Sequence, residues 1–533
     1  MKKVIYFFMI ILIACFISII NYTSKDIQYK NSDATWHTLL TIKAYSQTPV
    51  SVHKFVPIVT LGDINNKHIA WGAAVSDKFG NYYYTSFSPA GFFVPYIFIK
   101  CLNLPVNENS LYLLNSIILL LSVIILGVFV IDVFSKSRYK YIIGICSALL
   151  YATSFEIMHG QGHVWWNHSL MQITLLTQIY AFYKFKTNKI FKILFYTLCV
   201  INPYIEWTGF VANFGFILAY YLDKKICLKQ KLSFIIMVIS FSFLSALILT
   251  LHFASVIPFD KFIKTSLMRA HSRSDSFSLN FYQLLYNYII SYTSLIIILL
   301  FNLIIIKTNN ISIKINSIVC KDYKLLLILG FPLIENLIMM NHATWYSFDT
   351  MKLSYILVFV NADLLNIIFL NIKTIKKYLL CLPLIFFVVI GNIFLYRYST
   401  SCDYNFYVYD IQYEKQNETF ANYIKKRFNN DNSVIGTPSD VRGYKVLLFD
   451  RNIHEFTTLD ELINENKNKR YVIYFFDRFE TVGIQEIDSG IIYDKDENTY
   501  KFIKATQDNI SEINISKKNA HVIAGDLIIF NKR

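Results

Sequence analysis

Proline is scarce, 10 residues in 533, and glycine contributes 17, so neither a collagen-like repeat nor a Pro/Gly-rich disordered chain fits. Cysteine numbers eight, with no CxxC and no paired spacing. Cys15, Cys146, Cys199 and Cys381 fall inside apolar runs and Cys402 stands alone in the tail, which excludes a disulfide scaffold and a zinc ribbon. Acidic residues are outnumbered 36 to 51, giving a formal charge of +15. No water-exposed basic domain accompanies that charge, so it does not point to nucleic acid. Internal repeats and low-complexity linkers are also missing, which counts against a repeat-built transporter. The start, MKKVIYFFMIILIACFISIINYTS, is basic and then apolar like a secretory signal, but it lacks a small-x-small cleavage site. Its apolar run is long enough to span, so it reads as an uncleaved first helix.

What the chain has in abundance is apolar sequence. Hydrophobic residues make up 54% and mean hydropathy is +0.40, the composition of an integral membrane protein. Apolar runs predict helices near 4–20, 111–133, 141–157, 168–184, 190–203, 207–222, 232–257, 286–306, 324–340, 352–371 and 378–397. Lys2 and Lys3 place the amino terminus in the cytoplasm. Alternation then makes 135–141, 184–192, 223–231, 307–324 and 373–377 cytoplasmic, and each carries at least three basic residues. The outward connectors 158–167, 204–206 and 341–351 carry no lysine or arginine.

This pattern requires 88–105, which holds Pro89, Pro95 and Lys100, to be an interfacial or re-entrant helix. The pair 190–203 and 207–222 reads either as two short spans or as a shallow hairpin, with Asn202, Pro203 and Glu206 at the break. The expected fold is mostly α: a polytopic bundle of about eleven helices over 1–398, with a long external loop at 21–110 and an extracytoplasmic α/β domain over 399–533. In that domain, SVIGT, HEFTT, RYVIYFF, IIYDKD, YKFIKA and HVIAGDLIIFN read as strands, and SDVRGYKVLLFD and TLDELINENKN as helices.

Polar chemistry gathers at the outer helix ends: Asp33, His37, Glu156, His159, His163, His168, Glu206, Arg269, His271, Arg273, Glu335, His342, Tyr346, Asp349 and Lys352. Ionisable groups at membrane depth cost on the order of 2.5–3.5 kcal/mol each and mark sites. Glu335 stands out within the run GFPLIENLIMM, and Asp33 and His37 share a helix face at i, i+4. Alternatives stay open for most of these residues. Asp33 reads as a helix cap or a catalytic residue, and His159, His163 and His168 as metal ligands or as an exposed connector. Trp165 and Trp166 read as an interfacial anchor, and Glu206 as an interface or a cavity residue. The Arg269–Arg273 stretch is a solvated patch or a phosphate clamp. Asp349 and Lys352 suit a local ion pair.

The stretches NSDATWHTLLTIKAYSQ, YYYTSFSPAGFFVPYIFIKCLNLPVNENSLYLLNSIILLL and SVIGTPSDVRGYKVLLFDRNIHEF carry a family likeness. An acidic residue soon after helix one, an interfacial helix before helix two and an external α/β tail resemble the C-type (GT-C) glycosyltransferases. Members of that superfamily include protein O-mannosyltransferases and lipid A aminoarabinose transferases. This chain differs from the O-mannosyltransferases in having Asp33-Ala34 where they have an Asp-Glu pair, and in the insert HKFVPIVTLGDINNKHIAWG.

The resemblance implies sugar transfer from a polyprenyl-phosphate donor to a glycan, lipid or protein acceptor at the outer face of the cytoplasmic membrane. Such a reaction needs a carboxylate to orient the acceptor or take its proton, and the catalytic candidates are Asp33, which matches the family's acidic residue, and then Glu335. Substrate binding would fall to His37, Glu206, Arg269, His271, Arg273, His342, Tyr346, Asp349 and Lys352. The resemblance assigns no metal ligand and leaves room for a divalent metal. The competing readings are a surface-polysaccharide polymerase or ligase, a transporter or flippase of lipid-linked precursors, and a non-catalytic scaffold.

Overall fold

The computed structural model describes the chain apart from residues 1, 24–31, 61–73, 163, 275–276, 312–316, 318–321, 373–374, 400–410, 430, 438–452, 456–457, 477–488, 506–508 and 532–533. Apolar runs become helices because a backbone in lipid has to satisfy its own hydrogen bonds. The membrane part opens with α1 (Lys2–Thr23), α2 (Ser32–Gln47), α3 (Val50–His53), α4 (Ala90–Cys101), α5 (Glu108–Val133), α6 (Lys140–Ala152) and α7 (Phe155–Gly160). It continues through α8 (Asn167–Lys184), α9 (Lys189–Ile205), α10 (Thr208–Tyr221), α11 (Leu228–Ala254), α12 (Phe259–Ser274) and α13 (Phe277–Thr308). Among the described residues, Glu108–Val133, Leu228–Ala254, Asn280–Thr308 and Phe348–Asn371 are long and apolar enough to cross a membrane. Helix α4 has 12 residues, about 18 Å of rise against a core of about 30 Å, which is too short for a span. At 17 and 14 residues, α9 and α10 rise about 25 and 21 Å.

The run 324–340 does not form one helix. It breaks into α14 (Tyr323–Gly330), a 3-10 turn at Phe331–Leu333, α15 (Ile334–Ile338) and α16 (Met340–Trp345). Pro332 has no N–H to donate and tightens the turn, and Met339 leaves helical geometry at φ −106°, ψ 48°. A second 3-10 segment, Ser347–Lys352, leads into α17 (Leu353–Asn371) and α18 (Ile375–Ser399). The predicted helix 141–157 is likewise divided, into α6 and α7.

A buried polar ladder ties the bundle together between α8, α9, α10 and α11. Asn202 donates to Gln178 (2.6 Å), Gln178 to Asn213 (2.8 Å) and Asn213 to Ser242 (2.8 Å). Such bonds average about 0.6 kcal/mol each between membrane helices. Trp165 and Trp166 are buried, at 0% and 4% exposure, so they are not an interfacial anchor. The Trp165 indole instead donates to the Gly91 carbonyl at 2.8 Å, a bond that holds α4 against the bundle.

The first loop carries an antiparallel hairpin of β1 (Ala74–Ser76) and β2 (Tyr82–Tyr84), and the tail is a mixed sheet of order β4-β3-β5-β6-β7-β8. β3 (Ser433–Thr437) runs parallel to β4 (Ile453–Glu455) and β5 (Tyr471–Phe476), as βαβ units require. β6 (Ser489–Asp494), β7 (Thr499–Ala505) and β8 (Ile510–Ile515) follow antiparallel. Alternation sends Ile435, Ile473 and Phe475 to one face, under Phe420 and Ile424 of α19 (Ile411–Arg427). Val434, Val472 and Tyr474 go to the other face, under Leu459 and Leu462 of α20 (Leu459–Glu465).

HVIAGDLIIFN is not a strand. It belongs to α21 (Lys517–Asn531), whose Ala520 and Ala524 pack at i, i+4 on that second face. The sheet edge it would have needed is taken by β8, so helical packing prevails. The predicted helix SDVRGYKVLLFD lies outside the described residues.

Candidate functional site

The polar residues are carried to one end of the bundle by breaks in its helices. The interruption after α14 lets Glu335 and Asn336 turn inward from a run that would otherwise present only apolar side chains. The 3-10 segment delivers Asp349 and Lys352 to the same place. Lys352 Nζ donates to Glu335 Oε2 and, at 3.0 Å, to Asn336 Oδ1, and it lies 3.9 Å from Asp349 Oδ1. Its main partner is therefore Glu335, and the pairing is buried rather than a surface i, i+3 bridge, with Lys352 4% exposed and Glu335 6%. The Thr208 hydroxyl, from the first residue of α10, donates to the same Glu335 oxygen. Asn336 also donates to Tyr288 OH (2.6 Å) and to the Asp349 carbonyl (2.8 Å).

His342 Nδ1–H donates to Asp349 Oδ2 at 2.6 Å. Burial holds the imidazole below its ordinary pKa, against the pull of Asp349. The ring is thus neutral near pH 7, with Nε2 left as an acceptor. Tyr346 stacks on it at 4.5 Å.

Two further charges face this network. Glu206 sits at the corner between α9 and α10, buried, with Oε2 lacking a hydrogen-bond partner among the described residues. Burial and then the Glu335 charge push its carboxyl up to about 8, so it carries a proton at neutral pH. Arg273, near the end of α12, places its guanidinium 4.3 Å over Phe87 and donates to the Ser86 carbonyl at 3.2 Å. Burial lowers its pKa, but a guanidinium stays protonated at any physiological pH. Nε of Arg273 and Nε of Arg269 are both buried without a hydrogen-bond partner among the described residues.

From Phe87 an aromatic wall runs through Trp166 (4.9 Å) to His37 (5.5 Å beyond) and Tyr84 (4.2 Å from His37). His342 joins it at 5.7 Å from Phe87.

The sequence-selected residues therefore divide into several groups. Glu335, Lys352, Asp349, His342 and Tyr346 touch one another in one chain of contacts, with Glu206 and Arg273 electrostatically coupled to them. Arg269 stands beside Arg273 in charge terms, and His37 belongs to the adjoining aromatic wall. His271 is exposed. Asp33 lies in the first turn of α2, one turn before His37, and its side chain is outside the described residues. Thr208, Asn336 and Phe87 were not anticipated. Asn336 had a signal, a second polar residue inside an apolar run, whereas Phe87 is one phenylalanine among 45.

Among the described residues no three His, Cys, Asp or Glu side chains converge as a ligand set. His159 Nδ1 lies 3.9 Å from Glu156 Oε2, and His168 Nε2 bonds the Gly160 carbonyl at 3.0 Å. His163 lies outside the described residues.

No protein-family model and no curated protein sequence matches this chain. Solved structures do. The chain is similar to the archaeal oligosaccharyltransferase AglB from Archaeoglobus fulgidus in complex with an inhibitory peptide and a dolichol-phosphate. That match has a TM-score of 0.54 at 12% identity and covers 89% of this chain and 70% of that one. It is equally similar to ArnT from Cupriavidus metallidurans bound to undecaprenyl phosphate, with a TM-score of 0.54 at 9% identity, covering 87% of this chain and 92% of ArnT. A complex of the A. fulgidus oligosaccharyltransferase with Zn and sulfate aligns at 0.52 and 12% identity, covering 87% and 68%. At such identities the likeness is one of fold. The chain has the C-type glycosyltransferase fold, a mostly α polytopic bundle with a carboxyl-terminal domain, and it is an integral membrane protein.

Proposed function

We propose that this protein is a membrane glycosyltransferase that moves a sugar from a polyprenyl-phosphate donor to a glycan, lipid or protein acceptor at the outer face of the cytoplasmic membrane. The observation that carries the reading is the pair of buried guanidinium Nε–H groups on Arg269 and Arg273, unmatched among the described residues and set beside a carboxylate-rich cluster. Buried donors without partners call for a ligand acceptor, and guanidinium groups suit phosphate oxygens. Structural neighbours bound to dolichol-phosphate and undecaprenyl phosphate support a lipid-phosphate ligand.

In this reading the acceptor O–H or N–H attacks the anomeric carbon as the bond from that carbon to the phosphate oxygen breaks. The lipid phosphate leaves with the electron pair, and Arg273 and Arg269 stabilise its charge. Asp33 takes the acceptor proton. Glu335 is occupied by Lys352 and Thr208, so its part is to fix Lys352 rather than to act as the base. Glu206, protonated, donates to a sugar or phosphate oxygen, and His342 Nε2 accepts from a sugar hydroxyl.

The test is Asp33→Asn in membranes supplied with polyprenyl-phosphate sugar. Transfer should fall by about 10²–10⁴ at unchanged protein level. Undiminished transfer would remove Asp33 as the base.

A further inference from the structure

A second built feature lies at the opposite, lysine-rich end of the bundle. Helix α8 runs 18 residues from Asn167 at the polar cluster to Lys184, about 27 Å away. There the ends of α5, α8 and α10 and the start of α14 enclose a cavity of about 390 Å³, walled by Phe182, Phe185, Leu325 and Ile328. Small-molecule sites span about 300–1,000 Å³.

The charges lining this cavity are arranged unevenly. Lys184 pairs with Asp132 at 2.8 Å, and Asp132 also accepts from Tyr180 at 2.5 Å. Lys186 and Lys324 share one oxygen of Asp223, at 2.9 and 3.0 Å. Two ammonium groups on one carboxylate leave a positive edge. Asp322 supplies the negative edge, because its Oδ1 is buried without a hydrogen-bond partner among the described residues. Three lysines and three aspartates sum to zero, so the lining is polarised but neutral. The flank carries exposed side chains with apolar surface, Leu222 at 41% beside Asp223 and Tyr323 at 46% between Asp322 and Lys324, as lipid contact at a helix end requires.

We infer that this cavity holds the headgroup of a zwitterionic phospholipid, with its phosphate on Lys186 and Lys324 and a primary ammonium on Asp322. A net anionic headgroup would gain the positive edge but meet Asp322 unopposed. A quaternary ammonium has no N–H to give Asp322. Basic pockets between helices near the membrane surface are where headgroups dock.

The full-length protein, delipidated in detergent and reconstituted with phosphatidylethanolamine, phosphatidylcholine or phosphatidylglycerol, is analysed by native mass spectrometry for retained lipid. One charge-assisted hydrogen bond to the ammonium supports retention of phosphatidylethanolamine over phosphatidylcholine by about tenfold or more. Asp322→Asn should bring the two to parity. Equal retention of all three lipids, or phosphatidylglycerol held as well as phosphatidylethanolamine, overturns the inference. So does binding of soluble glycerophosphoethanolamine that lipid cannot displace, which would assign the cavity to a free phosphate ester. The comparison of lipids on the unmodified protein decides the matter even where the variant fails to fold. Glycosyl transfer is not part of the readout, so either reading can fail alone.

Discussion

Replacing Glu206 by Gln probes the packed site most directly. An ordinary glutamate titrates near 4.5, whereas burial and the neighbouring Glu335 charge push Glu206 to about 8 in the folded protein. Raising a carboxyl pKa on folding means that the folded state binds the proton more tightly than the unfolded state. Below the unfolded pKa both states are protonated and nothing is lost. As pH climbs from about 4.5 to about 8 the unfolded chain ionises first, so stability declines through that window and levels off above it. At about 1.36 kcal/mol per unit, the cost at pH 7 is about 3 kcal/mol.

Glu206→Gln keeps the shape and removes the titration. The variant should therefore be the more stable protein at neutral pH, by a margin that shrinks towards pH 5. Thermal unfolding can be followed with a thiol-reactive fluorophore after the exposed Cys101 and Cys227 are blocked in the folded protein, since Cys146, Cys199 and Cys381 are buried until the bundle opens. If wild type and variant lose stability in parallel between about pH 5 and pH 8, Glu206 is not the buried protonated group described here.

Other outcomes follow from the same contacts. Lys352→Met strands Glu335 and should cost about 3–5 kcal/mol, much of it restored when Glu335→Gln is added; a double-mutant cycle by thermal unfolding checks this, and additive losses would refute it. Arg273→Ala should lower transfer by on the order of 10²–10³, with Arg273→Lys recovering only part, because an ammonium cannot stack on Phe87 or present a planar fork. Donor-saturation kinetics on reconstituted protein measure it. Thr208→Val removes one hydroxyl donor from Glu335 and should destabilise by about 1–3 kcal/mol, again visible in thermal unfolding.

The helices were legible in the sequence because lipid leaves a backbone few alternatives: the apolar runs near 232–257 and 286–306 correspond to α11 and α13. The breaks were not. Pro332 was in view, but a proline alone does not say whether a helix kinks or divides, and Met339 carries no signal of its own. HVIAGDLIIFN is ambiguous in sequence because its apolar residues suit a sheet face as well as a helix stripe. What decided between them was β8 on the sheet edge, a fact about another segment. In the site, Glu335, Asp349 and Lys352 stood out as charges among apolar neighbours. That Lys352 bonds Glu335, 17 positions away, more closely than Asp349 depends on how the broken helix folds back. Trp165 reads as a membrane-surface residue because composition gives no sign of the carbonyl its indole reaches.

The turn from α9 into α10 has a consequence of its own. A Cβ on Gly209 would come within 2.2 Å of the Asn202 carbonyl carbon and the Pro203 nitrogen, so the two helices meet there main chain to main chain. Glu206 and Thr208 occupy that same corner. Their backbone positions thus depend on a close approach that any side chain at position 209 would force apart.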